Sequence, residues 1–365
     1  MKKKLPAMFI CMITAVFISV TAGCMKTSEE SKTKESNFDI KIAENLVNNY
    51  MYSLMNSSSI DTDRFYTYEM KEMQKQSPYI SSNLRINGYT IDEINETGKS
   101  GTIKMKVIRS DSYSPYAELA VSTLKVIKEG SNYKISDIDD EIEKSALKKG
   151  TMLRYKTKNN VKTNLLLKKI SIPPYAFSKD DKAMINKLPV PVTNYGILCF
   201  SYKGDEIVIT THDKDAFAAV VKIDESKAVQ GNGEEKNDAG GSDGQGGSEG
   251  IEEEPVGKEM IPLDLLKDSS IERISFSLDE KYILIQYAKK NAGSCLRLYR
   301  ADSGQILQYR FEDNFPIGKV KVVFSSFDKD VLNFEVIAAS NKESSINDLI
   351  GKWQLDLKEF KAEKI

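Results

Sequence analysis

The sequence predicts a helix packed on a curved antiparallel sheet, followed by an all-β region of about three four-stranded sheets. Three observations lead to this prediction. An apolar stripe with helical spacing begins near residue 38, and four runs of alternating apolar and polar residues follow it. A Phe-Ser sequence then recurs at a nearly constant interval. The 365 residues suffice for two domains, which we expect at residues 38–147 (α+β) and 148–365 (all-β).

Residues 1–23 have the layout of an export signal. The basic segment MKKKL precedes an apolar run that ends in small residues. A transmembrane anchor is the competing interpretation, but the run is shorter than the roughly 20 apolar residues of a membrane span.

The residues around Cys24 resemble the lipobox of bacterial lipoproteins. Ala22 and Gly23 directly precede the cysteine, although Thr21 stands where that family usually has Leu. The resemblance implies that cleavage leaves Cys24 as the N-terminus with a diacylglycerol on its sulfur. An ordinary secretory signal, with Cys24 incidental, is the alternative.

Residues 24–37 are expected to form a flexible tether, because MKTSEESKTKESN has almost no apolar side chain. Two acyl chains are enough for stable anchoring. We therefore expect a protein held on the extracytoplasmic face of the cell membrane by its lipid.

The net charge of the chain argues against a nucleic-acid partner. The formal net charge is -1, and loss of Lys2, Lys3 and Lys4 with the signal would leave -4. This mildly acidic balance gives no electrostatic basis for binding nucleic acid.

Cys199 and Cys295 are far apart in sequence and are expected to be buried thiols, with a disulfide between them as the alternative.

The first domain begins with a predicted amphipathic helix, whose apolar stripe is Phe38, Ile42, Leu46, Tyr50 and Leu54, widened by Ile40, Ala43 and Val47. The strands that follow are predicted in LRINGYTIDEIN, SGTIKMKVIRS, YAELAVSTLKVIKEG and NYKISDIDDEIE. This order, and the closing EGSNYKISDID, resemble the NTF2-like and cystatin-like domains of exported bacterial proteins. The resemblance implies a pocket, which contains an active site in some members.

The acidic run DIDDEIE is a candidate source of paired carboxylates. Asp137 and Asp139 fall on one face of a strand, but nothing in the sequence separates their environments as acid–base catalysis requires. Exposure to solvent at the strand end is the expected role.

The second domain contains an internal repeat. Phe200, Phe276 and Phe324 each begin a Phe-Ser sequence followed by a polar turn, and a β-branched residue comes seven places later. Phe276 and Phe324 are 48 residues apart, and Phe200 and Phe276 are 47 apart once the 29-residue acidic segment is left out. Each copy is predicted to be a strand, a tight turn and a second strand.

The middle copy, FSLDEKYILIQYAKKNAGSCLRLYRADSGQIL, resembles a blade of the WD40-like and TolB-like β-propellers. The resemblance implies four-stranded sheets, with a partial fourth from MLRYKTKNNVKTNLLLKKISI. Such a domain is either a minimal propeller or an open stack. FSKDDKAMI, at Phe177, is predicted to be a helical turn or loop with Ser178 and Asp181 as a capping box, and Trp353 to pack in the outermost strand pair.

Residues 230–258 are predicted to be a disordered acidic insertion, because most of them are Gly, Ser, Glu or Asp and very few are apolar. The spacing of an EF-hand calcium loop is not present in this segment.

No catalytic constellation, cofactor motif or metal motif emerges from the sequence. His212 is the only histidine, and a Ser-His-Asp triad would have to use THDKD, at the turn after a strand. The expectation is therefore a protein that is not an enzyme. It would act as a binding module for an envelope protein, a peptide or a wall polymer. An exported hydrolase with its site in the N-terminal pocket, and a spacer or regulatory subunit of a membrane complex, are the alternatives.

Overall fold

The computed structural model describes residues 38–56, 61–81, 83–228, 253–339 and 346–365. Residues 1–37, with the expected signal, the lipid-bearing Cys24 and the tether, lie outside the described residues, and so does most of the expected insertion. No helix in the described part of the chain combines the length and apolarity that a membrane crossing requires.

Two helices cover the first sheet. Helix α1 spans Ile40–Asn56, and helix α2 spans Tyr68–Gln76, where the Thr67 side chain accepts a hydrogen bond from the Met70 N–H (3.2 Å). A 3₁₀ turn at Thr62–Phe65 joins them. The buried face of α1 contains Ala43, Val47 and Tyr50 of the predicted stripe, together with Met51 and Met55. Ile42 is 47% exposed, because the helix sits on the sheet rotated from the every-fourth-residue line.

The first sheet is an antiparallel meander of six strands in chain order. These are β1 (Leu84–Thr97), β2 (Ser100–Asp111), β3 (Tyr116–Glu129), β4 (Asn132–Lys149), β5 (Met152–Thr157) and β6 (Asn164–Leu167). The four predicted strands are confirmed as β1–β4. The MLRYK and NLLL runs, which we assigned to a partial fourth blade, instead extend this sheet. A tight turn at Gly150, with φ +62°, folds β5 back onto β4 across the expected domain boundary at residue 147.

The rest of the chain is also mostly antiparallel strand. A two-stranded sheet contains β7 (Tyr175–Phe177) and β8 (Lys187–Pro189). A five-stranded sheet contains β9 (Asn194–Tyr195), β10 (Cys199–Phe200), β11 (Glu206–His212), β12 (Ala216–Ile223) and β13 (Gly257–Leu266). A three-stranded sheet contains β14 (Ser269–Phe276), β15 (Tyr282–Lys289) and β16 (Gly293–Arg300). The short helix α3 (Phe311–Asn314) precedes a four-stranded sheet of β17 (Val320–Phe327), β18 (Val331–Ala338), β19 (Gly351–Asp356) and β20 (Ala362–Lys364).

The repeat is confirmed as strand, turn and strand in all three copies, but the third has a different register. Phe200 pairs with Ile207 and Phe276 with Ile283, seven residues on in both cases. Phe324 instead pairs with Phe334, because β17 continues to Phe327 before its turn, and a bulge between Phe324 and Ser326 changes the register by one more residue. All three phenylalanines are buried.

The middle sheet has three strands where four were expected. The RLYRADSGQIL sequence is expected to form the last turn and the fourth strand of this sheet, and the turn forms as predicted. Beyond the turn, Ile306 makes only an isolated bridge to Tyr299.

The capping box predicted at Ser178 and Asp181 is wrong. Phe177 ends strand β7, and the chain then forms a loop in which the Asp181 N–H donates to the Ser178 carbonyl (3.0 Å). The Asp181 carboxylate accepts from the backbone of Ile185 and Asn186, so it stabilises a loop and not a helix start.

The end of the expected insertion is ordered. Glu253 accepts hydrogen bonds from Arg154 Nη1 and from the Leu165 N–H, both at 2.7 Å, and Val256 is fully buried. The Val256 N–H donates to the Leu165 carbonyl (2.8 Å), so this segment covers the outer edge of β6. Residues 38–365 form one compact unit with a continuous apolar core.

Candidate binding cleft

A cleft of about 590 Å³ lies between helix α1, strand β1 and the last sheet. Its volume is in the usual range for ligand sites. Helix α1 forms one wall and strands β17–β19 the other, while Asn87–Ile91 of β1 and Ser275 of β14 form the floor. The walls therefore come from residues that are hundreds of positions apart in sequence.

The lining combines aromatic rings with uncharged hydrogen-bonding groups. The aromatic residues are Tyr52, Tyr89, Tyr202, Phe327, Phe334 and Trp353. The amides and aliphatic hydroxyls are Asn48, Asn49, Asn87, Asn333, Thr90, Ser275, Ser325 and Ser326. Asp328 and Lys352 are the charged residues among the lining residues, one of each sign.

Hydrogen bonds fix the polar groups on the β18 side. The Asn333 amide nitrogen donates to Ser326 Oγ (3.1 Å) and to Asp328 Oδ2 (2.8 Å). Its carbonyl oxygen accepts from Gln354 Nε2 (3.0 Å). Because both ends of the amide are held, the Asp328 carboxylate keeps a fixed place at the exposed rim.

On the opposite wall, the Tyr89 hydroxyl donates to Asn48 Oδ1 (3.0 Å) and so links β1 to α1. Burial raises the pKa of Tyr89 to about 12, which keeps its hydroxyl protonated at neutral pH. Gly88 allows Tyr202 to approach, because a Cβ at this position would lie 2.2 Å from the Tyr202 hydroxyl oxygen.

Aromatic residues pack against one another at the third side of the cleft. Trp353 is half-buried, its ring centroid lies 5.2 Å from that of Phe315 in an edge-on contact, and its Nε1–H donates to the Leu349 carbonyl (2.8 Å). Phe334 stacks on it at 6.3 Å. The expectation that Trp353 packs within the last strand pair is confirmed, and the same ring lines the cleft.

Such a lining can bind a ligand through ring contacts and neutral hydrogen bonds. It has no surplus of charge to attract a polyanion or a polycation.

The acidic run behaves as expected at Asp137 and Asp139, which are exposed. The role of its neighbour Asp140 was not predicted from the sequence. Asp140 forms a two-pronged ion pair with the buried Arg109 (2.7 and 2.8 Å), which also binds Glu118 (2.8 Å). The alternation of side chains along β4 could have indicated this role, because it separates Asp140 from Asp139 and places it opposite Ser122 of β3. The two carboxylates that do converge in the N-terminal sheet are thus bound to a guanidinium.

His212 lies at the exposed end of β11, as predicted, and lines a second, smaller cavity. Cys199 and Cys295 are free and buried, so the thiol interpretation is confirmed over the disulfide. Burial raises the pKa of each of these thiols to about 12. In the described part of the chain, no three His, Cys, Asp or Glu side chains are arranged to hold a metal ion.

The ionic cluster around the buried Arg297 was not predicted from the sequence either. Arg297 binds Asp264 (2.8 Å), Asp180 (2.5 Å) and Glu312 (2.6 Å), and Tyr299 donates to Asp264 (2.7 Å). It ties strands β13 and β16 to the loop after β7 and to α3. Its members share no local sequence pattern, so spacing alone did not reveal it.

No known protein family matches this chain, and no curated protein matches it. Solved structures do resemble it. Puromycin hydrolase has a TM-score of 0.31 and 7% identity over 74% of this chain and 46% of its own length. The Swd1 β-propeller domain of Myceliophteria thermophila has a TM-score of 0.24 and 8% identity over 68% of this chain and 96% of its own. TolB of Acinetobacter baumannii has a TM-score of 0.17 and 9% identity over 80% and 87%.

These structures include β-propeller and TolB-like folds, and this chain is likewise mostly sheet. The expectation that it is not an enzyme is contradicted, because prolyl endopeptidases and a prolyl oligopeptidase stand beside puromycin hydrolase among the similar structures. The chain spans less than half the length of the hydrolase, and at these TM-scores the similarity assigns no activity to it.

Proposed function

We propose that this protein binds an extended, largely uncharged ligand of the cell envelope, a wall polymer or a peptide segment, in the cleft beside α1. The observation that supports this most directly is the lining. Aromatic rings, amides and hydroxyls surround a volume of about 590 Å³, with one acidic and one basic side chain. Because a hydrogen bond already holds the Asn333 and Asp328 side chains in place, less conformational entropy is lost when a ligand binds.

The proposal includes a lipid anchor at Cys24, with residues 24–37 as a tether that holds the body off the bilayer. It is supported by the sequence around Ala22, Gly23 and Cys24 and by the polar composition that follows. We also propose that residues 38–147 are NTF2-like, which the packing of α1 on β1–β4 supports, and that the later sheets are propeller-like blades related to those of TolB.

The test is retention of the full-length protein on isolated cell-wall material and on peptide pools, with Tyr52→Ala as the variant. Tyr52 lines the cleft from α1 and is 40% exposed, so its truncation removes a ligand contact with little loss of packing. Tyr68→Ala is the matched control, because Tyr68 is 74% exposed on α2 and does not line the cleft.

We expect Tyr52→Ala to lower retention about tenfold, while Tyr68→Ala binds as the wild type does. Retained polymer or peptide is analysed by mass spectrometry, which also detects any cleavage of it. Equal retention of both variants, or no retention of the wild type by either material, would contradict the proposal.

A further inference from the structure

The hairpin of β7 and β8 presents aromatic side chains and a lysine to solvent. Its two strands pair Tyr175 with Pro189 and Phe177 with Lys187. Ala176, between the two pairs, is buried where β7 packs on β13, so the four paired residues form the outer face of the hairpin. On that face Tyr175 is 59% exposed and Phe177 is half-buried.

The loop that joins β7 to β8 adds two exposed apolar side chains. Met184 and Ile185 are 48% and 76% exposed. The Asp181 carboxylate accepts hydrogen bonds from the Ile185 N–H (3.1 Å) and the Asn186 N–H (2.9 Å), and the Met184 N–H donates to the Asp181 carbonyl (2.9 Å). Met184 also has a φ of +49°, which residues other than glycine seldom adopt. The loop therefore has a defined shape in which both apolar side chains point to solvent.

The start of this loop is fixed to the body of the protein. The Lys179 N–H donates to Asp264 Oδ1 (2.8 Å), and the Asp180 carboxylate binds Arg297 and Arg310 (2.5 and 3.2 Å). Single exposed apolar residues are common on soluble proteins, whereas several on one fixed element indicate an interaction surface.

The free charges of the hairpin are positive, although the chain as a whole has a net charge of -1. Lys182 and Lys187 are exposed, and in the described part of the chain they form no ion pair. The Lys187 ammonium lies 5.5 Å from the centre of the Phe177 ring. Both acidic residues of the hairpin are already bound, Asp180 by guanidinium groups and Asp181 by N–H groups of its own loop. A partner therefore meets cations next to apolar side chains.

This combination is complementary to the interface of an anionic lipid bilayer. Apolar and aromatic side chains enter the boundary between headgroups and acyl chains, and lysines interact with the lipid phosphates. The hairpin residues line neither the cleft nor the second cavity, so this surface is not part of a pocket for a small ligand. A bilayer requires no such pocket.

We propose that the β7–β8 hairpin binds the surface of an anionic phospholipid bilayer. Met184 and Ile185 enter the boundary between headgroups and acyl chains, and Lys182 and Lys187 bind lipid phosphates. This contact depends neither on a ligand in the cleft nor on a lipid at Cys24.

The test uses residues 38–365, which form one compact unit with a continuous core. This chain lacks residues 1–37, so neither the expected signal nor a lipid at Cys24 can hold it on a membrane. Its partition is measured by flotation with vesicles of phosphatidylcholine alone and of equal parts phosphatidylcholine and phosphatidylglycerol. We expect at least about tenfold stronger binding to the anionic vesicles, and weaker binding at about 0.5 M salt, which screens the lysines.

Two double variants separate the apolar and the charged contributions. Met184→Gln with Ile185→Gln should lower partition into anionic vesicles about tenfold, because two apolar side chains no longer enter the bilayer. Lys182→Gln with Lys187→Gln should lower it about fivefold for each lysine and leave partition into neutral vesicles unchanged. Met73→Gln is the matched control, since Met73 is 56% exposed on α2, and it should bind as the wild type does. Every one of these side chains is exposed, so the thermal midpoints should stay the same.

A fluorescent label shows which part of the protein touches the lipid. An environment-sensitive dye is attached to Ile185→Cys and, as the control, to Met73→Cys. Cys199 and Cys295 are buried, so the dye reacts with the introduced thiol. We expect its emission to shift to the blue on anionic vesicles at position 185 and to stay unchanged at position 73.

Three results would overturn the proposal. One is partition into anionic vesicles that does not exceed partition into neutral ones. Another is a Met184→Gln, Ile185→Gln chain that floats as well as the wild type. The third is a blue shift at position 185 that grows with protein concentration in the absence of lipid, because the hairpin would then bind a second copy of the chain.

Discussion

The guanidinium carbon of Arg273 lies 4.7 Å from the centre of the Phe324 ring, and this aromatic face takes the place of a counter-charge. Arg273 Nη2 donates to the Ile86 carbonyl (3.0 Å), but among the described residues Nε and Nη1 have no partner. Burial lowers the pKa of Arg273 well below its usual range. Arg297 differs, because it is also buried but is bound to three carboxylates.

This contrast predicts that the same substitution has a large effect on stability at Arg297 and a small one at Arg273. Arg297→Met should lower the free energy of unfolding by about 3–5 kcal/mol, because it leaves Asp264 buried without its cation. Arg273→Met should stay within about 1 kcal/mol of the wild type or exceed it, because no carboxylate is stranded. Urea unfolding followed by the fluorescence of Trp353, the only tryptophan, measures both. Equal losses in the two variants would show that Arg273 has a partner of comparable strength.

The repeat predicts a second set of stabilities. Phe200→Ala, Phe276→Ala and Phe324→Ala should each lower the free energy of unfolding by about 3–5 kcal/mol, since all three rings are buried. His212→Ala, at an exposed strand end, should change it little. A harmless Phe276→Ala would contradict the repeat where its match is strongest.

Strand alternation and the Phe-Ser repeat predicted most of the sheets, because both patterns are local. Phe200–Ile207 and Phe276–Ile283 pair as spacing alone indicated. Phe324 departs from it because β17 continues to Phe327 before its turn and also contains a bulge, and neither feature has a period in the sequence.

The candidate cleft could not be predicted in the same way. Asn48 and Tyr89 meet across a helix and a strand, and Trp353 reaches the same cleft from the other end of the chain. Such meetings depend on how the elements pack, which single-residue patterns do not encode.

The Arg297 cluster predicts how stability depends on pH. Burial acts to raise the pKa of Glu312, but the charge and hydrogen bonds of Arg297 outweigh it, so the pKa falls below the usual 4.5. A carboxyl whose pKa is lower in the folded state stabilises the fold fully above that usual value. The stabilisation is lost as pH falls through the folded-state pKa.

Glu312→Gln should therefore reduce the loss of stability between pH 6 and about pH 3 relative to the wild type. Urea midpoints measured across that range test this prediction. Parallel curves for the two proteins would show that Glu312 is not the group whose protonation weakens the cluster.

Cys24 provides a prediction outside the described residues. Cys24→Ser should abolish incorporation of labelled lipid and move the protein from the membrane to the extracytoplasmic soluble fraction, because serine forms no thioether. Cys199→Ser is the matched control and should leave lipid incorporation intact, since that thiol is buried in the body. Lipid that still enters Cys24→Ser would rule out the anchor at this residue.

A pair of deletions tests where the acidic insertion ends. Removing residues 231–250 should leave the thermal midpoint within a few degrees of the wild type. The repeat keeps its period without this segment, and halving the length of a loop changes the free energy of closing it by only about 0.6 kcal/mol. Extending the deletion to residue 257 should cost several degrees more. It removes the Glu253 carboxylate that binds Arg154 and the Leu165 N–H, together with the buried Val256 that covers the edge of β6. Differential scanning calorimetry of the two variants distinguishes these outcomes, and equal midpoints would mean that residues 253–256 contribute nothing to the sheet they border.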